Sequence, residues 1–300
     1  MAQESTPATL NKNLLILHFT VFIWGFTGIL GKLISVSAVT LVWYRVLIAF
    51  LTLFLYFKFN RTNFKVSLKV FLQLVFTGAL VSGHWILFFL SIKLSTVSVA
   101  LVCFSSLTLF TAIFEPLINK KKISGLEILS GLLIIAGIFV IFKFESKYTK
   151  GIEAGLLCAV FASLFYIINS RQVKHYEAPV IAFYELIGGF IWVSIFLAVT
   201  GGFNKSMELS TKDIGYLLIL GTICTSLAYV AGVSVMRELS AFRVALITNL
   251  EPVYGIILSF VFFGDMAKMT TGFWVGAAII LSTIFLFPVV QTQINKRKRA

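Results

Sequence analysis

Ten apolar runs, separated by short charged breaks, dominate this chain and fix the solvent in which it folds. Runs of about 17 to 25 apolar residues are long enough to cross a hydrocarbon core as helices. Their expected limits are Leu14–Ile34, Val36–Phe57, Val70–Ile92, Thr96–Ile118, Leu126–Phe142, Ile152–Ser170, Pro179–Thr200, Ile214–Val235, Ala241–Phe263 and Thr271–Val290. Only 12% of the residues are charged, too few to cover a water-facing surface, and 31 are Phe, which lipid tolerates on a protein exterior. The chain reads as an all-α polytopic membrane protein of ten transmembrane helices, with the lipid bilayer as its partner.

A net charge of +13 raises the question of nucleic acid. The basic residues, however, sit in short clusters between apolar runs and are not interleaved with stacking aromatics, so no nucleic-acid partner is expected. Cys103, Cys158 and Cys224 lie inside apolar runs without a CxxC spacing and read as small core residues. The first run is about 20 residues long and nine more follow, so it reads as a span and not a removable leader. Lys and Arg are retained in cytoplasmic loops, and their two-to-one distribution places both termini on the inner side of a bacterial cytoplasmic membrane. KFESKYTKG, at 143–151, carries three lysines but falls on the outer side in this scheme.

Sliding the second half over the first gives matches at a nearly constant offset. Val21-Phe22 aligns with Val160-Phe161, Lys32 with Arg171, Trp43-Tyr44-Arg45 with Phe183-Tyr184-Glu185, Ala100-Leu101 with Ala245-Leu246, and Gly131 with Gly276. Five helices per half is an odd number, so the second copy crosses the membrane in the opposite sense, as an inverted repeat. The resulting division is an N-terminal tail at 1–13, one repeat at 14–142, a linker at 143–151, the other repeat at 152–290 and a basic tail at 291–300.

Three stretches resemble the EamA-type permeases of the drug/metabolite transporter superfamily. They are Trp24-Gly25, Trp43-Tyr44-Arg45, and Asn249-Leu250-Glu251-Pro252-Val253 with Phe263-Gly264-Asp265. The likeness runs from about Leu14 to Val290 and implies a ten-helix inverted-repeat exporter of metabolites such as amino acids. The first half departs from the pattern, with Leu107 where Pro252 stands and Asn119-Lys120 where Gly264-Asp265 stand.

A charge at the bilayer centre costs about 2.5 kcal/mol or more, so Arg45, His84, Glu115, Glu185 and Glu251 each need a reason to be there. Glu115, near one end of its span, reads as an interfacial partner for Lys120, Lys121 and Lys122. His84, with Ser82 and Trp85 beside it, reads as a packing residue or a site residue. Glu251 precedes Pro252, where a broken helix places either a structural acid or a titratable group that meets solute or coupling ion. Arg45 and Glu185 occupy equivalent repeat positions, differ in height by about 6 Å, and read as a charge pair between the halves. Arg45, His84, Trp85, Glu185 and Glu251, together with Trp24, Tyr44, Tyr184, Tyr229 and Asn249, form the candidate binding and coupling set. Glycines at GxxxG spacing, Gly151/Gly155 and Gly272/Gly276, read as close helix contacts.

No HExxH, GxSxG or P-loop occurs, so enzyme chemistry, a cofactor and a metal are not expected. The reading is a secondary transporter of small solutes, with a proton as candidate coupling ion and a monomer or homodimer as its assembly. A passive facilitator and a non-transporting membrane enzyme or subunit are the alternatives.

Overall fold

In a computed structural model, residues 7–61, 64–120, 125–144, 146–264 and 269–297 are described, and among them the chain is helical throughout. Thirteen α-helices run in order: α1 (Pro7–Leu33), α2 (Ala38–Asn60), α3 (Leu68–Leu94), α4 (Val97–Phe104), α5 (Leu107–Ile118), α6 (Gly125–Phe144), α7 (Thr149–Gln172), α8 (Ala178–Val199), α9 (Thr211–Gly221), α10 (Ala228–Val235), α11 (Ala241–Thr248), α12 (Leu250–Phe263) and α13 (Thr271–Arg297). Nine stretches of the described residues are long and apolar enough to cross a membrane, and α6, apolar over Leu129–Ile141, completes the set of ten. Span four is α4 with α5, span eight is α9 with α10, and span nine is α11 with α12. Asp265, Lys121, Lys122 and the last basic residues lie outside the described residues.

Local chemistry sets where spans begin. The side chains of Ser37, Ser67, Thr96, Ser210 and Ser240 each accept a hydrogen bond from an N–H in the first turn of the helix that follows. Other polar side chains explain the interruptions. At the α4–α5 break the Ser105 and Ser106 hydroxyls donate to the carbonyls of Leu101 and Cys103. At the α11–α12 break Asn249 donates to the Ala245 carbonyl at 3.1 Å and to the Thr108 hydroxyl on α5. Between α9 and α10 the chain widens into a π-turn, Thr222–Leu227, where the Thr225 hydroxyl donates to the Leu220 carbonyl at 2.6 Å.

The two halves interlock. α3 packs along α7 and α8, α1 packs along α12 and α10, α2 lies on α8 and α9, α4 and α5 lie on α7, and α6 pairs with α13. Exchanging the halves maps this set of contacts onto itself, as an inverted repeat requires. Small residues allow two of the closest approaches. A Cβ on Gly78 of α3 would stand 2.3 Å from the Glu185 carbonyl oxygen of α8, and one on Gly188 would stand 2.4 Å from that of Val75. Gly137 and Gly276 face each other's carbonyls across α6 and α13 in the same way, whereas Gly131, the sequence match of Gly276, faces Leu109.

Repeat equivalence also shows in single residues. Lys120 closes α5 with φ of 53° and Gly264 closes α12 with φ of 63°, so both fourth spans of the repeat end in a left-handed residue. Tyr44 donates to the Met207 carbonyl at 3.1 Å, and its counterpart Tyr184 donates to the Phe64 carbonyl at 2.9 Å. Each tyrosine thus pins the segment that leads into the third span of the opposite half.

Candidate functional site

Arg45 projects from the middle of α2 and is 1% exposed. Its Nε donates to Thr225 Oγ1 at 2.6 Å, so the hydroxyl that shapes the π-turn also anchors the guanidinium. The planar group lies over the Trp85 ring at 4.1 Å and near Phe89 at 5.5 Å. Nη1 is buried without a hydrogen-bond partner.

A cavity of about 40 Å³ opens beside the guanidinium, with room for no more than a few waters. Trp24 and Thr27 of α1, Arg45 of α2, His84, Trp85 and Phe88 of α3, and Phe104 of α4 supply one side. Phe165 and Tyr166 of α7, Tyr229 of α10 and Glu251 of α12 supply the other. Aromatic rings hold the wall together by edge contacts, Trp85 to Tyr229 at 5.6 Å and Phe165 to Tyr166 at 4.9 Å. Every half-helix break and the π-turn lie near this space, which sits between the repeats.

The break at Asn249 explains how Glu251 reaches the cavity. With α12 starting at Leu250, Glu251 and Pro252 fall in its first turn, where the proline's missing N–H leaves no ladder bond unmade and the helix dipole favours a carboxylate. Pro252 therefore starts a new helix; it does not kink a continuous one. His84 is held differently: its Nδ1 lies 3.2 Å from the Cys158 carbonyl oxygen and 3.1 Å from the Cys158 sulfur, while Ser82 donates to the Gly78 carbonyl.

Of the ten residues singled out from the sequence, Trp24, Arg45, His84, Trp85, Tyr229 and Glu251 line the cavity. Tyr44, Tyr184, Glu185 and Asn249 do not. Glu185 is fully buried behind the wall, accepting from Tyr229 at 2.6 Å and from Asn169 at 3.2 Å. No N–O contact within 4 Å joins it to Arg45, so the charge pair expected between them does not form. Equal depth did not bring the two residues face to face; both instead bond the eighth span, at Thr225 and Tyr229, one turn apart. Of the lysines expected beside Glu115, Lys121 and Lys122 lie outside the described residues, and Glu115 has a further partner. Its carboxylate accepts from the Phe242 backbone N–H at 2.8 Å and so caps α11.

Sequence reasoning missed Thr27, Phe88, Phe104 and Phe165 in the wall, because a Phe in an apolar run carries no mark that separates lipid from cavity. It also missed Asp213. That side chain is 1% exposed and accepts from the Ser35 N–H and hydroxyl at 2.7 Å each, tying α9 to the α1–α2 turn. The spacing Ser210-x-x-Asp213, a capping box, was the available signal.

Two five-span copies facing one another across an aromatic, charged cavity define a polytopic membrane protein of inverted-repeat design. Residues 11–143 and 149–288 each match the EamA-like transporter family, and the chain belongs to that family. A protein of Archaeoglobus fulgidus described as an uncharacterized transporter is 24% identical over 94% of this chain and 99% of its own length. A Clostridium kluyveri protein of the same description is 26% identical over 62% of each chain, and the uncharacterized transporter YdfC of Bacillus subtilis is 23% identical over 59% of this chain and 58% of its own. A solved structure titled only as the crystal structure of a protein shares the fold, with a TM-score of 0.69 at 16% identity, over 93% of this chain and 98% of that one. The protein is a multi-pass membrane transporter.

Proposed function

We propose that this protein is a secondary transporter that exports amino acids or related amphiphilic solutes across a bacterial cytoplasmic membrane by alternating access. One observation carries the reading. Arg45 offers an unpartnered Nη1, and Glu251 faces the same aromatic cavity with no Arg45 contact within 4 Å. A solute carboxylate fits the first group and an ammonium the second, with the rings of Trp24, Trp85 and Tyr229 around its carbon skeleton. The cavity is too small for such a solute as it stands, so the halves must part at one end to admit it, which suits a carrier better than an open channel.

A thermal-shift screen of the purified protein tests the site, because a ligand bound to the folded state raises apparent stability. An amino acid is expected to stabilise more than its decarboxylated amine or its deaminated acid. Equal shifts from all three would remove Arg45 and Glu251 from recognition. Counterflow in proteoliposomes separates carrier from passive pore: trans solute accelerates uptake by a carrier and leaves a pore unaffected.

A further inference from the structure

Behind the cavity wall, three side chains from three spans close a triangle of hydrogen bonds. Tyr229 of α10 donates to Glu185 Oε2 of α8 at 2.6 Å. Asn169 Nδ2 of α7 donates to the same oxygen at 3.2 Å and to the tyrosine oxygen at 3.1 Å. Glu185 and Asn169 are 0% exposed and Tyr229 is 4% exposed. Yet Glu185 Oε1 and Asn169 Oδ1 are both buried without a partner, two acceptors at one junction short of a hydrogen. A buried carboxylate oxygen with no donor to meet it is among the least favourable arrangements a protein interior holds. The remaining ionisable groups around it are turned elsewhere: Arg45 on α2 to Thr225 and Trp85, His84 on α3 to Cys158, and Tyr166 on α7 to Thr248.

We propose that Glu185 is a proton-carrying site that communicates with the central cavity through Tyr229, so that its protonation decides which way the tyrosine hydroxyl points. With Glu185 ionised, the tyrosine hydrogen is committed to Oε2 and the cavity meets only the phenol oxygen. With a proton on Oε2, the acid donates to the phenol oxygen and the tyrosine O–H turns free to donate into the cavity. No heavy atom moves. The transfer balances: the Tyr229 hydrogen passes to Oε2 as the phenol O–H bond breaks, and a proton that enters the cavity from bulk solvent as hydronium re-forms that bond and leaves water behind. A solute group that accepts from Tyr229, such as a carboxylate, then binds with uptake of one proton, and the linkage runs both ways. Its use in transport rests on the cavity being the solute site. The protonation itself does not.

Infrared difference spectroscopy on the purified full-length protein, without solute, tests it between about pH 4 and about pH 10, the span over which buried carboxyls titrate. A carboxylic-acid C=O band that fades as pH rises is expected in the wild type, absent in Glu185→Gln and retained in Glu251→Gln. Tyr229→Phe, which removes the donor without touching the carboxyl, is expected to move both the band and its midpoint. The proposal is overturned if Glu185→Gln leaves every such band in place, or if Tyr229→Phe leaves frequency and midpoint unchanged. Loss of the band at fixed pH on adding sodium chloride, but not choline chloride, would assign the orphan oxygens to sodium and overturn it equally. Because no solute enters the measurement, a failure here leaves the thermal-shift result standing, and the reverse holds too.

Discussion

Arg45 shows how little of a buried charge is decided by opposite charge. Its guanidinium is held by a hydroxyl and a stack of rings, and the carboxylate at the equivalent position of the other half lies elsewhere. The charge swap Arg45→Glu with Glu185→Arg is therefore expected to rescue neither single variant, since each position is shaped for its own partners on the eighth span. Full recovery of folded yield in the double variant would restore the pair. Thr225→Val is the sharper test: it removes a hydrogen bond to a buried charge, worth about 1.5–3 kcal/mol, and also the bond to Leu220 that shapes the π-turn. Denaturant unfolding in detergent should show a loss of that order, and an unchanged midpoint would mean the ring stack alone holds Arg45. For Glu251, Glu251→Gln is expected to preserve folding and impair solute binding, because an amide keeps the shape and loses the charge that would hold an ammonium group.

Elements were legible from the sequence where a single physical requirement governs them. A continuous apolar run must be long enough to span, so the ten spans fell on the helices found, with ends within about three residues except where α1 begins at Pro7, ahead of Leu14, and α13 runs past Val290 to Arg297. Interruptions were harder because their causes are tertiary. Asn249-x-x-Pro252 marked one break, but Ser105-Ser106 contains no Pro or Gly, and the π-turn at Thr222–Leu227 exists where Thr225 meets Arg45 from another helix. Rotation about a helix axis was not legible either, which is why equal height at Arg45 and Glu185 suggested a contact that packing does not make. The tie between Asp213 and Ser35 belongs to this scale. It joins α9 to the α1–α2 turn through a buried carboxylate, so an opening that parts those two segments must break it. Asp213→Ala is expected to raise several-fold the labelling of a cysteine placed at Thr27, a wall position, by a membrane-impermeant thiol reagent. Unaltered labelling would locate the opening elsewhere.

For the molecule as a whole, the helices sort their connections into two sets at opposite ends. One set gathers Lys93, Asp213 and the 146–150 segment, with Lys93 donating to the Ile34 carbonyl and Asp213 accepting from Ser35. The other gathers Arg171, which donates to Asn119 and the Ile118 carbonyl, and Arg237, which donates to the Val173 and Tyr176 carbonyls and pairs with Glu177. The basic residues that connect spans crowd the second end, and because Lys and Arg are retained in cytoplasmic loops we propose that end as the inner one. The lysines of 143–151 oppose this assignment, so the segment is where the topology is most exposed to refutation. Ser146 and Asn60 are both solvent-exposed and belong to opposite ends. The native cysteines at 103, 158 and 224 are all buried, which leaves an introduced thiol as the accessible one. Ser146→Cys is expected to react with an impermeant reagent added to intact cells, and Asn60→Cys only after the membrane is opened. Labelling of Asn60→Cys in intact cells, with Ser146→Cys protected, would invert the molecule and turn the Asp213 tie into a cytoplasmic gate.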